Sequence, residues 1–389
     1  MLKALTVRGP FRGPTGYDHH VREFVREFRN QGIAIELLDF PNWSPARLPS
    51  EMQETWLESL DQDCGARTVL HFSMPHQVLR YPDKTNANYT MFEATRVPAS
   101  WVEANKKHDI LILPTESSKR AWVASGMPEH RIRLCPLGVN PEVFTGHAEP
   151  LELKGVSPEK HRVRFLNVSA ESPRKNLLGL LEAWVRATSP SDDAVLIVKL
   201  GCYEAESIAR FERNIKEWSP RLPKRLTDAA PVKFVLDLFP DSDMPRFFAA
   251  ATHYISMSHG EGWDQAMMEA AASGLKLIAP AHSGYLAYLD SSIASLIRTR
   301  EIPVAYEGDP ATADLFQGAN WWEPDLEHAI ELIRAAIEGR DDTASSARER
   351  IVREFTWAKA ARSLIEILDE VQSLREKIRS FSIPRAKSE

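Results

Sequence analysis

Cysteine is scarce and unpaired: Cys64, Cys135 and Cys202 are odd in number, far apart and form no Cys-x-x-Cys. That excludes a disulfide framework or a structural zinc site as the organising principle and suits a reducing compartment. No run approaches the roughly 18 uninterrupted apolar residues of a membrane-spanning helix, and the opening Met-Leu-Lys-Ala-Leu-Thr-Val-Arg-Gly has no secretory apolar core. A cytoplasmic protein is expected. Basic excess is missing too: 48 Lys and Arg stand against 54 Asp and Glu, a formal charge of −6, so nucleic acid is not an expected partner. Gly-x-Gly-x-x-Gly and Gly-x-x-x-x-Gly-Lys-Ser/Thr do not occur, which leaves NAD and P-loop nucleotide binding unsupported. No short-period repeat is present.

What remains is a globular composition, 43% hydrophobic and 26% charged, which rules out disorder over most of the length. At roughly 150 residues per domain, 389 residues imply two domains. Short apolar runs alternate with segments of helical period. Strands are predicted at Leu2–Val7, Ile33–Leu38, Thr68–Phe72, Tyr89–Phe92, Asp109–Leu113 and Arg131–Leu134. Helices are predicted at Tyr17–Gln31, with Val21, Phe24, Val25 and Phe28 on one face, at Trp101–Lys107 and at Ser117–Ser125. From Gly138 to His161 the rhythm breaks into a Pro-, Gly-, Glu- and Lys-rich stretch read as a linker. The alternation then resumes, with strands at Val163–Val168, Ala194–Lys199, Val232–Leu236, His253–Ser256 and Lys276–Ala279, and helices at Asn176–Ala187 and Asp264–Ser273. From Thr356 to about Ser380 one or two helices would turn Trp357, Ala360, Leu364, Ile367, Leu368 and Val371 inward. Such β-α alternation predicts an α/β chain of two doubly wound Rossmann-like domains, with ligands at the strand carboxyl ends in a cleft between them.

The most informative stretch is Ser258-His-Gly-Glu-Gly-Trp-Asp-Gln-Ala-Met-Met-Glu-Ala-Ala-Ala-Ser-Gly274. Glu261 falls in the loop after a strand and Glu269 in the first turns of the next helix, beside an N-terminus whose free N–H groups suit a phosphate. A solvated pair of glutamates is the bland reading. The apolar Met267, Met268, Ala271 and Ala272 argue instead for a buried helix, where a lone carboxylate is costly without a partner or ligand.

This segment resembles the E-x7-E motif of retaining glycosyltransferases of family 4, which have the GT-B fold. Four further pieces lie in the matching order: Tyr89-Thr-Met-Phe-Glu-Ala-Thr-Arg-Val-Pro98, Cys135-Pro-Leu-Gly-Val-Asn140, Glu171-Ser-Pro-Arg-Lys-Asn176 and Phe355-Thr-Trp-Ala-Lys-Ala-Ala361. The resemblance implies transfer of a sugar from a UDP- or GDP-linked donor to a hydroxyl acceptor (a carbohydrate, lipid-linked or other) with retained configuration, in glycan, polysaccharide or glycolipid synthesis. Glu269 would hydrogen-bond the donor ribose and Glu261 the sugar hydroxyls, while Arg174 and Lys175 would bind the diphosphate. Gly260, Gly262, Trp263, Asp264 and Gln265 would line the donor pocket, and Glu93 would stand near the reacting sugar. The chain departs from the family at Asp264 and Ala266, where many members carry Gly and Pro. Asp264 reads as a helix cap that also brings negative charge to the pocket.

Gly13-Pro-Thr-Gly16-Tyr17 fits a tight loop where backbone meets a phosphate, with Gly13 and Gly16 as donor contacts; a plain Gly-rich turn is the alternative. Asp61-Gln-Asp63 and Asp241-Ser-Asp243 have a metal-binding shape, but Asp243 reads better as a cap ahead of Pro245. No metal ligand and no tightly bound cofactor is expected. His19 and His20 are placed facing the Gly loop or solvent, and His71, His76 and His282 near strand ends. Arg375, Lys377, Arg379, Arg385 and Lys387 around Phe381 and Ile383 suit a weak peripheral membrane contact, though Glu376 and Glu389 dilute it and a flexible tail over 381–389 is preferred. The expected domains are 1–148, binding acceptor and receiving the helices at about 357–380, and 149–356, binding donor. A non-catalytic nucleotide-sugar-binding subunit, a sugar phosphorylase and a nucleotide-sugar epimerase on the same scaffold stay open.

Overall fold

The computed structural model describes residues 2–40, 43, 46–201, 205–307, 309–341 and 347–382; Cys202 and the tail from 383 lie outside the described residues. The chain divides into two compact units. The first takes residues 1–91, 97–138 and the segment from Trp357 on, and the second takes 92–96 and 139–356.

In the first unit, β1 (Ala4–Arg8), β2 (Ala34–Leu38), β3 (Thr68–Phe72), β4 (Thr85–Tyr89), β5 (Ile110–Leu113) and β6 (Ile132–Leu134) form a parallel sheet of order β2-β1-β3-β4-β5-β6. The first helix, Gly16–Asn30, begins with a capping box: Thr15 Oγ1 accepts from Asp18 N at 3.3 Å, and the Asp18 carboxylate accepts from Thr15 N at 3.3 Å. Its apolar stripe buries Phe24 against Phe72 and Tyr89, with Phe28 stacked on Phe24. A single helix, Trp357–Ser382, closes this unit, its Trp357 ring 5.3 Å from Phe24. Trp357, Ala360, Leu364, Leu368 and Val371 are buried, as the periodicity requires, while Ile367 is half-buried.

Two expectations are corrected here. The fourth strand is Thr85–Tyr89 rather than 89–92. It is Thr-Asn-Ala-Asn-Tyr, and its polar side chains hid it from an apolar-run reading. They are tolerated because they are satisfied: Asn86 Nδ2 donates to Tyr81 O at 2.8 Å and Asn88 Nδ2 to Asn105 Oδ1 at 2.9 Å. His20 does not face the Gly loop or solvent. It is buried among Tyr17, Phe72 and Tyr89, with ring centroids 5.0 to 5.6 Å away, and burial pushes its pKa down to about 3.

In the second unit, β7 (Val163–Ser169), β8 (Ala194–Leu200), β9 (Val232–Val235), β10 (His253–Ile255), β11 (Lys276–Pro280) and β12 (Ser295–Ile297) make a parallel sheet of order β12-β11-β10-β7-β8-β9. β8 is buried at every position, the mark of a strand covered on both faces. The core centres on Trp184, which stacks edge-on to Phe165 and donates from Nε1 to Ala230 O at 2.9 Å. An antiparallel pair, β13 (Thr299–Pro303) with β14 (Asn320–Pro324), was not anticipated. Nor is 139–161 a free linker. Leu151 N donates to Arg246 O at 2.8 Å and Phe144 packs on Phe248, so this stretch belongs to the second unit and the boundary falls at Gly138 rather than 148. Among the described residues no helix is long and apolar enough to cross a membrane.

Candidate functional site

The second sheet reverses its strand order between β7 and β10: the chain runs outward through β8 and β9, then returns to the other side of β7. Loops leaving the carboxyl ends of two such strands diverge and leave a crevice, the usual ligand position of a doubly wound sheet. After β7 comes the turn Pro173–Lys175, ended by Asn176 in the left-handed region at φ 50°. Asn176 also caps the helix Leu177–Ala187 through Gly179 N at 3.1 Å. This pivot fixes where Arg174 and Lys175 point. After β10 comes the loop Ser256–Asp264, and the two loops lock together: His259 N donates to Arg174 O at 2.8 Å, and Arg174 Nη1 to Gly260 O at 2.6 Å.

Glu261 is the common partner. Lys175 Nζ lies 2.8 Å from its Oε1 and Arg174 Nη1 3.1 Å from its Oε2. Its backbone is held from both sides, by Ser283 Oγ at 3.0 Å from its N and by Gly284 N at 3.0 Å from its O. Burial alone would push the Glu261 carboxyl up; Lys175 and Arg174 outweigh it and bring the pKa down to about 2. Burial would lower the Arg174 guanidinium, but Glu93 and Glu261 outweigh it and hold its pKa above the ordinary range.

Asp264 is the cap expected from the sequence. It sits in the left-handed region at φ 65° and accepts from Met267 N at 3.2 Å at the start of the helix Gln265–Ala272. Residues the sequence reading did not single out hold it. Tyr285 Oη is 2.7 Å from Asp264 Oδ2 and Tyr288 Oη donates to Asp264 O at 3.2 Å. Burial raises the Asp264 pKa; Lys175 opposes this and Glu261 adds to it. Glu269, in the second turn, is buried and accepts from Gln265 Nε2 at 3.2 Å.

The remaining candidates separate. Trp263 turns inward: its Nε1 lies 3.4 Å from Met268 Sδ and its ring packs on Tyr288 and Phe355, so the indole is packed into the core. Gly262 is buried against Gly284, where an added Cβ would meet Gly262 C at 3.0 Å. Gly260 is needed for close approach, since a Cβ there would come 2.5 Å from Glu93 O. Glu93 groups with the second unit, its Oε1 3.5 Å from Arg174 Nη2. Gly13 and Gly16 lie in the first unit. The Gly13 amide is taken by Asp18 Oδ1 at 2.6 Å and its carbonyl by Arg22 at 2.8 Å, so the capping box gives this glycine a structural reason.

Two aromatic stacks line the loops and were missed because β14 was. His259 lies on Trp321 and His282 on Trp322, with rings within 15° of parallel. His282 Nε2 is 2.7 Å from Ser258 O, and burial takes its pKa down to about 4. Asp243 stands at a helix start but makes no cap hydrogen bond, a correction to its expected role; it pairs with Arg246 at 3.6 Å. Asp63 accepts from Gly65 N at 2.8 Å.

No protein-family model matches the chain, and no curated protein sequence does. Solved structures do. HepE of Anabaena, in complex with UDP and glucose, superposes with a TM-score of 0.64 at 12% identity over 95% of this chain and all of its own. Sucrose-phosphate synthase of Thermosynechococcus elongatus gives 0.65 at 14% over 96% and 100%. The α,α-trehalose 6-phosphate synthase of Burkholderia multivorans gives 0.64 at 11% over 96% and 100%. At these identities the likeness is one of fold, and the fold is the two-domain α/β GT-B architecture.

Proposed function

We propose that the chain is a glycosyltransferase that moves a sugar from a UDP- or GDP-linked donor to an acceptor hydroxyl with retained anomeric configuration, as in family 4. The observation that carries this is the convergence of Arg174 and Lys175 on buried Glu261 at the carboxyl ends of β7 and β10. A departing nucleoside diphosphate accumulates negative charge, and fixed cations at that point stabilise the transition state. Arg174 offers a planar fork to phosphate oxygens and Lys175 a compact charge. Glu261 holds both in place and reaches the sugar hydroxyls, and Glu269 receives the ribose. The departing diphosphate takes the acceptor proton on the same face. The first unit binds the acceptor. HepE, whose structure holds UDP and glucose, and the two sugar-phosphate synthases support the reading through their shared fold.

Thermal stability against UDP, GDP, ADP, TDP and CDP tests it. A ligand at 100 times its dissociation constant adds about 2.7 kcal/mol. One diphosphate should stabilise the wild type and leave Glu269→Ala unmoved; no response to any of them, with or without magnesium or manganese, would sink the reading. Asp264 favours a second reading, a nucleotide-sugar-binding subunit without turnover, because its carboxylate already occupies an amide at the helix N-terminus. Donor consumption separates the two.

A further inference from the structure

We infer that Glu93 is the resting counter-ion of Arg174, that a donor phosphate binds by taking its place, and that Glu93 thereby sets how tightly the site holds a diphosphate. This rests on the donor reading of Arg174 and Lys175.

The carboxylate is delivered by a pinned backbone. Thr95 N donates to Asn320 O at 3.1 Å, and Asn320 N returns a bond to Thr95 Oγ1 at 2.8 Å. Phe92 stacks on Phe316 with centroids 4.8 Å apart, and Glu93 O lies 2.5 Å from where a Cβ on residue 260 would be. The backbone of residues 92–96 is thereby held against the Ser256–Asp264 loop and β14, which brings Glu93 beside Arg174 while its part-exposed side chain can still turn to water.

The two carboxylates on Arg174 are not equivalent. Glu261 is 5% exposed and bound at 2.8 and 3.1 Å to two cations, with its backbone held as well. The Glu93 side chain is 24% exposed and stands 3.5 Å from Nη2, an ion pair at longer range. Glu93 is therefore the outer partner, the one that solvent and an incoming anion reach first. Nη1 is committed to Gly260 O and Glu261, so Nη2 is the edge of the fork that meets Glu93 and is left for a phosphate.

Charge balance points the same way. Arg174 and Lys175 are matched by Glu93 and Glu261, and the Asp264 carboxyl adds a further acidic group near Lys175, so the set holds no spare positive charge. A diphosphate added to that set would put uncompensated negative charge in a partly buried place, which is costly. Exchanging Glu93 for a phosphate oxygen keeps Arg174 paired and lets the released carboxylate, already a quarter exposed, go to water.

The test uses the full chain and a probe that needs no knowledge of the base: inorganic pyrophosphate, with UDP and GDP alongside, titrated by calorimetry into wild type, Glu93→Gln and Arg174→Gln. Glu93→Gln keeps the shape and removes the charge, so it should bind pyrophosphate about three- to tenfold more tightly. Binding should vanish in Arg174→Gln. Tighter binding is a result that mere loss of structure does not give. Binding that appears only in Glu93→Gln would also support the exchange. Wild-type binding that depends on Arg174 but is unchanged or weakened in Glu93→Gln would overturn the proposal and leave the donor reading intact. No Arg174-dependent binding in either form would overturn both.

Discussion

The Tyr285 hydroxyl stands 2.7 Å from the Asp264 carboxylate and equally close to Ser256 Oγ. With one proton to give, it donates to Asp264 and accepts from Ser256, so the helix cap is itself held by a buried chain of hydroxyls. Tyr285→Phe should cost about 1–2 kcal/mol, since it leaves a buried carboxylate short of a donor. Chemical denaturation of the variant checks this; a cost near zero would mean that the contact is not made.

Asp264 and His20 should give pH dependences of opposite sign. The folded-state pKa of Asp264 is raised, so the folded protein binds more protons and stability falls as pH rises from about 4 through the folded value. Asp264→Asn should remove that fall, seen as a flatter midpoint temperature against pH.

His20 and His71 are buried neutral, each with a pKa brought down to about 3 by burial. The unfolded chain binds the extra protons, so stability is full above about pH 6.5 and drops by about 1.4 kcal/mol per pH unit per histidine as pH falls toward 3. His20→Phe should remove one such slope without weakening the protein at pH 8. Urea unfolding at several pH values measures it, and an unchanged slope would refute the buried, neutral placement.

Glycine substitutions should separate close approach from open space. Gly260→Ala drives a Cβ to 2.5 Å from Glu93 O, a backbone atom that cannot step aside, and should cost about 1–3 kcal/mol. Gly16→Ala meets nothing within 4 Å at the first position of a helix and should be neutral or stabilising by up to about 1 kcal/mol. If Gly16→Ala instead abolishes the response to nucleoside diphosphates, that backbone does approach the donor.

Strands buried on both faces were legible where apolar side chains do the burying, as in Ala194–Leu200. They were misplaced where hydrogen-bonded asparagines do it, as in Thr85–Tyr89. Glu261, Arg174 and Lys175 were singled out through the resemblance of their two segments to a known motif set. That the three side chains pair with one another was not legible, because the two loops are brought together only by the sheet. Tyr285, Tyr288, Trp321 and Trp322 were not legible either: an aromatic outside a periodic run carries no sign of which loop it will support, and β13–β14 mixes exposed and buried positions without alternation. The inward turn of Trp263 was hidden for a related reason, since its Met268 and Phe355 neighbours are set by tertiary packing.

The first unit is assembled from separated stretches, with Phe24 covered by Trp357, Thr68 Oγ1 donating to Gln372 at 2.8 Å and Cys135 Sγ reaching Ala360 O at 3.4 Å. The second unit has everything it needs by residue 356. On the ribosome the usual order is therefore inverted. The earlier-synthesised sheet waits with an open flank until the last helix emerges, while the later one can close first. A nascent chain halted before residue 357 should expose that flank to chaperones.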